Sequence, residues 1–452
     1  MKFTLQSLAA AVQSMPQCRS LVVAFSGGLD SSVLLHGLNQ LRQQADFQWS
    51  LRALHINHGM QSNADNWERH CQRSCQELNI DLAVTDVRKD FGDSLPSADV
   101  ENAARKVRYQ AFEENLQAGE ALLLAHQLDD QVETLLLRLM RGAGIKGLAG
   151  IPVTRALGQG FLYRPLLDFD RQQLAEYAST HALQWLQDES NEDEQFDRNF
   201  VRRTLLPSIA LRWPGYRDSW SKTVTLAAES QGLLAELAAI DLNNMATEQH
   251  SAIRLEPLLG LSNPRQRNLL RHWLSKIGVP DLGWNRLQQL SNEVLRADVG
   301  SDASLLGEGL QLRCYKQKLY ALKTIPEIDP ADKLHWDTSQ AQAIVLPRNG
   351  SLHMHPTTGS GIALLNGGRL QIHYRRGGES CQLAGRPNKS LKKLLQEHEI
   401  EPWLRKRMPL LYIEDVLACI PGVGVAERFA AKDDEPSLRI SWRSPDFGVD
   451  QS

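Results

Sequence analysis

The hexapeptide SGGLDS, Ser26 to Ser31, is the segment of this chain best equipped for chemistry. Its adjacent glycines, Gly27 and Gly28, let the backbone aim several N–H groups at one point, and the Ser26 and Ser31 hydroxyls add donors there. With a helix beginning near Asp30, the helix N-terminus adds partial positive charge, so the loop suits a pyrophosphate. It is neither GxxxxGK followed by Ser or Thr nor GxGxxG, which disfavours a Walker A site and a dinucleotide site. A capped Gly-Gly turn is the plainer alternative; the strand and helix patterns on either side favour phosphate.

Three further segments carry reactive side chains. HINHG brings His55, Asn57 and His58 together before a glycine. HQLDDQVET holds Asp129, Asp130 and Glu133 at a helix start, and a spacing of three puts Asp130 and Glu133 on one face, a receptor for an ammonium group or Mg²⁺. The same carboxylates could simply favour the helix dipole, worth about 0.3–1 kcal/mol each. In ENAARKVRYQAF, Arg105 and Arg108 lie one turn apart, and each is either a phosphate grip or a solvated cation.

Something must hold these segments at one place, and the hydrophobic pattern supplies it. LVVAF (21–25), SLRALHIN (50–57), IDLAVTDV (80–87) and ALLLAH (121–126) read as strands, with helix-length segments at 31–44, 65–78 and 99–118 between them. Such alternation predicts an α/β fold: an N-terminal doubly wound, mostly parallel sheet whose ligands bind beyond the carboxyl ends of the strands. The loop and the two polar clusters all follow strands. GLAGIP and RALGQGF mark turns, a helix covers 170–182, and helical spacing resumes in NFVRRTLLPSIALRW.

The catalytic domain is therefore expected over 1–216. A small, mainly helical domain follows over 218–325, opened by a long amphipathic helix at 220–245 with Leu226, Leu233, Leu237 and Ile240 on its apolar side. Residues 325–340 read as a linker. A small α+β domain occupies 341–445, with SLKKLLQEHEI as its helix. A length of 452 residues accommodates this, since domains cluster at about 100–200 residues.

Composition narrows the class. The 50 Lys and Arg against 53 Asp and Glu leave a formal charge of −3, which excludes a uniformly basic nucleic-acid coat. No apolar run approaches the ~20 residues of a membrane span, and the opening MKFTLQSLAAAVQSMPQC reads as an amphipathic helix rather than a secretory signal. Six scattered cysteines suit reduced thiols, and a cytoplasmic protein is expected.

The SGGLDS loop resembles that of the PP-loop ATP pyrophosphatases, which cleave ATP between the α and β phosphates and transfer AMP to a substrate oxygen. Taken with HINHG, AARKVRY, HQLDDQVET, RPLL and WLQDESNEDEQFDRNFVRRTLLP, it resembles the tRNA(Ile)-lysidine synthetases; YRRGGES, SLKKLLQE and WLRKRMPLLY extend the likeness toward the C-terminus. The resemblance implies ATP with Mg²⁺, L-lysine, and isoleucine tRNA with a CAU anticodon. ATP activates the C2 oxygen of the wobble cytidine, and lysine's ε-amine then displaces AMP. It assigns ATP binding to Ser26, Gly27, Gly28, Leu29, Asp30, Ser31, His55, Asn57 and His58, with Asp30 on Mg²⁺ and Arg105 on developing phosphate charge. Lysine goes to Asp129, Asp130 and Glu133. An amine of pKa near 10.4 must lose a proton to attack, and Asp130 with Glu133 fits that task, although neighbouring Asp129 is not distinguished from Asp130.

An acidic chain must concentrate its positive charge to hold RNA. Arg198, Arg202 and Arg203 form one candidate patch. Lys389, Lys392, Lys393, Arg405 and Arg407, with Arg386 and Lys406, form another, in which seven cations face three glutamates within 22 residues. Trp403 and Tyr412 are interleaved there as candidate base-stacking groups. Two rivals stand beside this reading. A PP-loop thiolase or amide ligase is disfavoured because no motif residue surrounds Cys71 and Cys75; an RNA-binding protein with a decayed nucleotide site is disfavoured by the intact motifs. Oligomeric state is left open between monomer and homodimer.

Overall fold

Hydrophobic alternation in the first 125 residues becomes a parallel sheet. In the computed structural model, which describes residues 2–44, 47, 49–57, 59, 64–87, 100–187, 196–247, 249–279, 282–295, 304–307, 309–339, 342–363 and 369–449, the chain divides into units Met1–Leu233 and Leu234–Ser452. His58, the acidic loop 188–195 and the segment 88–99 lie outside the described residues.

The first unit begins with α1 (Leu5–Gln13) and β1 (Ser20–Ala24), followed by α2 (Leu29–Arg42), β2 (Ser50–Asn57), α3 (Ala64–Glu77) and β3 (Asp81–Asp86). Next come α4 (Val100–Glu114), β4 (Glu120–Leu123), α5 (Leu128–Met140), α6 (Ile145–Leu148), and a hairpin of β5 (Thr154–Leu157) and β6 (Gly160–Tyr163). Helices α7 (Arg171–Thr180), α8 (Asp197–Phe200), α9 (Leu206–Arg212) and α10 (Tyr216–Asn243) follow, with a π-helical turn at Val201–Leu205 between α8 and α9. The sheet order is β3-β2-β1-β4-β6-β5, parallel except for β5 against β6.

Strand order reverses beside β1: β2 and β3 build to one side and β4 to the other. A crevice therefore opens beyond the carboxyl ends of β1 and β4, where SGGLDS and HQLDDQVET emerge. Period-two alternation seats β1 between two cores. Leu21 and Val23 pack with α1, α2 and α7 through Leu8, Leu35 and Leu174, while Val22 packs with Phe112 of α4 and with Leu116 just after it. The β5–β6 hairpin replaces the turns expected at RALGQGF. Its glycines conceal the strands: Gly158 takes φ +53 in the hairpin turn, and a Cβ at Gly160 would come 2.3 Å from the Glu120 carbonyl.

The long helix α10 starts earlier than expected and turns its other side inward. Val224, Ala227 and Ala238 are buried, whereas Leu226, Leu233 and Ile240 are exposed. Small side chains permit the close packing here, so the apolar stripe read from the sequence is not the buried one.

In the second unit, helices Leu255–Leu259, Asn263–Lys276 and Gly283–Gln289 share a core with an antiparallel sheet, in which Leu310–Tyr315 and Lys318–Lys323 form the central hairpin. A second core lies between two antiparallel sheets and helix Leu391–Glu397. The expected linker contains strand Lys333–Asp337, paired with Arg369–His373, because Leu334 and Trp336 alternate at period two and bury Trp336. Among the described residues no helix is long and apolar enough to cross a membrane.

Five residues expected to meet RNA (Arg407, Arg405, Trp403, Tyr412 and Lys389) make contacts within this unit. Arg407 is 3% exposed; it donates from Nε to Asn349 Oδ1 at 3.2 Å and from its Nη atoms to the Pro326 and Arg348 carbonyls. Arg405 donates to the Ile400 carbonyl at 2.7 Å and the Tyr315 hydroxyl at 3.2 Å, and Trp403 packs edge-on to Tyr320. Tyr412 stacks on His373. Lys389 pairs with Glu397 at 2.8 Å, while Lys392 and Lys393 are exposed. Replacing Arg407 by Ala should strand Asn349 Oδ1 and two carbonyls, at about 1–3 kcal/mol per buried group. Thermal unfolding should show a drop of several degrees, with RNA affinity of the folded protein unchanged.

Candidate active site

The loop after β1 is built to receive an anion. Gly28 is the N-cap of α2 and supplies no side chain to the first turn, so the amides of Leu29, Asp30 and Ser31 keep no hydrogen bond within the loop. Ser31 Oγ bridges the Gly28 carbonyl at 3.0 Å and Ser26 Oγ at 3.0 Å, closing the loop across its ends. Gly27 has φ +78, and its carbonyl accepts from Leu186 N–H at 3.0 Å, which ties the WLQD segment onto the loop.

Helix α3 supports this loop from beneath. A Cβ at Gly27 would lie 3.0 Å from Cys71 Sγ and 3.2 Å from His70 Cδ2. Gly27→Ala should therefore both strain the left-handed backbone and push the loop off α3, raising KM for ATP at least tenfold in a pyrophosphate-release assay. Cys71 is surrounded by motif residues after all, with Sγ 3.5 Å from His55 Nδ1. Its thiol is nonetheless unsuited to sulfur transfer: burial, with Cys75 and Glu68 adding, pushes its pKa up to about 12, and Cys75 likewise reaches about 12 through burial.

His55 and Asn57, expected to bind ATP, are held by hydrogen bonds within the unit. Both are buried: His55 Nδ1 donates to the Phe25 carbonyl at 2.9 Å, and Asn57 donates to Glu68 at 2.8 Å while accepting from Gly59 N–H at 3.0 Å. They fix the chain on either side of the site. His55 thereby sets the residue immediately before Ser26.

The carboxylates and two of the proposed RNA-binding arginines form one cluster. Glu133, fully buried, accepts from Arg198 Nε at 2.8 Å, Arg202 Nε at 2.6 Å and Arg202 Nη2 at 3.0 Å. Asp130 accepts from Arg198 Nη2 at 2.6 Å, and its other oxygen caps Gln127 N–H at 3.0 Å. Arg198 and Arg202 are thus ion-paired inside the catalytic unit, brought to one side by the π-helical turn that begins at Val201. Arg203, one residue on, is exposed. Asp129 points elsewhere, to Arg217 Nε at 2.5 Å and Arg171 N–H at 3.0 Å. Arg171 and Arg217 were not among the expected site residues; Arg217 follows Pro214-Gly215, which reads as a domain exit, and only the tertiary fold returns it to Asp129.

Asp30 is the exception within this network. Its Oδ1 is buried and has no partner among the described residues, and burial, followed by the Asp130 charge, pushes its pKa up to about 6 against the opposing pull of Arg171 and Arg202. An orphaned carboxylate oxygen beside an anion-binding loop fits a hard cation, since Mg²⁺ commonly takes one or two carboxylates and completes its shell with phosphate and water. Arg105, on α4, is exposed and stacks on Tyr109 at 5.3 Å.

Comparison with known proteins agrees with this division of labour along the chain. The PP-loop domain family matches residues 2–209, the TilS substrate binding domain matches 254–320, and the TilS substrate C-terminal domain matches 370–442. The chain is 36% identical over 446 residues to a tRNA(Ile)-lysidine synthase of Coxiella burnetii, covering 98% of this chain and 97% of that protein. It is 41% identical over 450 residues to that of Pseudomonas aeruginosa, covering 94% and 93%. Against the Serratia proteamaculans protein it is 38% identical over 431 residues, covering 94% and 96%.

Proposed function

The chain belongs to the tRNA(Ile)-lysidine synthase family, and on that premise we propose that it joins the ε-amine of L-lysine to C2 of the wobble cytidine in an isoleucine tRNA with a CAU anticodon. The observation that carries this reading is the meeting, at one crevice, of an amide cradle without internal partners and the unpartnered Asp30 carboxylate. Cytosine's C2 oxygen is a poor leaving group. Transfer of AMP from ATP to that oxygen releases pyrophosphate and makes it a good one; attack by the amine then expels AMP together with the oxygen.

In this reading the amides of Leu29 to Ser31 and the Ser26 and Ser31 hydroxyls bind the pyrophosphate portion of ATP. Asp30 would hold Mg²⁺, which when bound supplies charge neutralisation at the phosphate oxygens. Arg105 reaches developing charge from α4. Arg198 and Arg202 are reassigned from RNA to the carboxylates. Glu133 has no exposed surface to offer lysine, so it acts as a positioning residue that sets both guanidiniums. Asp130 or Asp129 orients the incoming amine and takes its proton. Such a reaction on tRNA belongs in the cytoplasm.

Incubation with ATP, labelled lysine and isoleucine tRNA bearing CAU tests the assignment. Lysine incorporation with pyrophosphate release supports it. Pyrophosphate release with unlabelled RNA points to another PP-loop reaction, and no release points to a decayed site. For the RNA, the exposed Lys392 and Lys393 are the contacts retained from the C-terminal patch. Changing both to Glu should weaken tRNA binding and lower the slope of log affinity against log salt by about two, as measured by filter binding. Unchanged low-salt affinity would make them a solvated face.

A further inference from the structure

His126 stands just beyond β4, three residues before Asp129, and has no task in the reaction above. Arg164 immediately follows β6, the neighbouring strand, and is only 3% exposed. Its Nε donates to His126 Nδ1 at 3.0 Å, Nη1 to the Pro152 carbonyl at 2.6 Å, and Nη2 to the Tyr109 hydroxyl at 3.4 Å. Among the described residues no carboxylate pairs with it.

A guanidinium can only donate, so Nδ1 must be the acceptor. The single proton of the neutral ring is then on Nε2 of this half-buried side chain, which has no hydrogen-bond partner among the described residues. A second proton would have to enter at Nδ1, facing a fixed cation. Arg198 from α8 and Arg105 and Arg108 from α4 oppose that proton too; burial is the largest influence, and together they push the His126 pKa down to about 3. The carboxylates of α5 that meet Arg198, Asp130 and Glu133, are bound to that guanidinium.

We propose that Arg164 is a positioning residue that locks His126 as a neutral Nε2–H donor, and that this donor serves a phosphoryl oxygen at the carboxyl edge of the sheet. The surrounding arginines select an anionic acceptor. A ring fixed in this tautomer has no lone pair at Nε2, so it binds oxygen without acting as a base. The phosphoryl oxygen belongs either to the nucleotide or to the RNA backbone. The second half of the proposal rests on the function proposed above; the tautomer lock does not.

Nitrogen-15 NMR of histidine-labelled full-length protein reads the lock without any substitution or substrate. The expected result is a neutral Nε2–H signature for His126, unchanged from about pH 5 to 8. Arg164→Met should bring its titration back toward the ordinary value near 6.5 and mix the two tautomers. An Nδ1–H tautomer, or titration near 6.5 in the parent protein, overturns the lock. For the ligand, His126→Ala should weaken one affinity about three- to tenfold. Loss of ATP affinity assigns the nucleotide, loss of tRNA affinity assigns the backbone, and loss of neither overturns the phosphoryl contact. Because the NMR reading uses neither substrate, failure of the lysine-transfer function leaves it intact and separately visible.

Discussion

Asp30→Asn should make the catalytic unit more stable above pH 6 while abolishing pyrophosphate release. The buried Asp30 has its pKa moved from 3.8 to about 6, mainly by burial and then by Asp130. A raised acid contributes stability that is fully present below its unfolded pKa and is lost as pH rises through its folded pKa. At pH 7.5 the ionised carboxylate therefore carries a penalty of up to about 3 kcal/mol, from roughly two pKa units at 1.36 kcal/mol each. Asparagine removes that charge. The thermal midpoint of the variant should match the parent near pH 4 and exceed it increasingly to pH 6 and beyond, by about 5 °C or more. Equal midpoints throughout would show that Asp30 is not strained; persisting pyrophosphate release would remove it from the reaction. The stability lost at this one position is what gives the carboxylate a free oxygen for a cation.

The second large effect lies at Glu133, and its sign is opposite. Glu133→Ala removes the acceptor for three donors on Arg198 and Arg202 and leaves two half-buried cations with only Asp130 to share. Removing one member of a buried ion pair costs about 3–5 kcal/mol. Denaturant unfolding of the variant should show a loss of this order. A cycle with Arg202→Met should recover part of it, because the second substitution removes one of the stranded charges. If Glu133 instead touched lysine directly, Glu133→Asp would raise KM for lysine with stability unchanged. The geometry predicts the reverse, a stability loss accompanied by a fall in kcat.

These two residues also mark how far the sequence could be read. SGGLDS is legible because its chemistry is local: two glycines, two hydroxyls and a helix start lie within six residues. Asp130 and Glu133 are legible as a pair because helical spacing puts them on one face. Their partners are not, since Arg198 and Arg202 lie 65 or more residues away and only tertiary folding brings the guanidiniums onto the carboxylates. Arg407 fails for the same reason: a cation in a basic run reads as exposed, yet its fork fits carbonyls supplied 58 to 81 residues earlier. His55 and Asn57 stand where the motif places them, but their hydrogen bonds to Phe25 and Glu68 could not be read from it. Local periodicity likewise located α10 and could not tell which of its faces would be covered.

In the proposed reaction AMP is attached to the cytidine C2 oxygen and leaves with it. The most direct measurement uses isoleucine tRNA carrying oxygen-18 at C2 of the wobble cytidine, incubated with the protein, ATP, Mg²⁺ and lysine, followed by mass analysis of the AMP formed. One oxygen-18 should appear in the phosphate of each AMP, in step with lysine incorporated into the RNA. Unlabelled AMP, with oxygen-18 retained in the RNA, would contradict it.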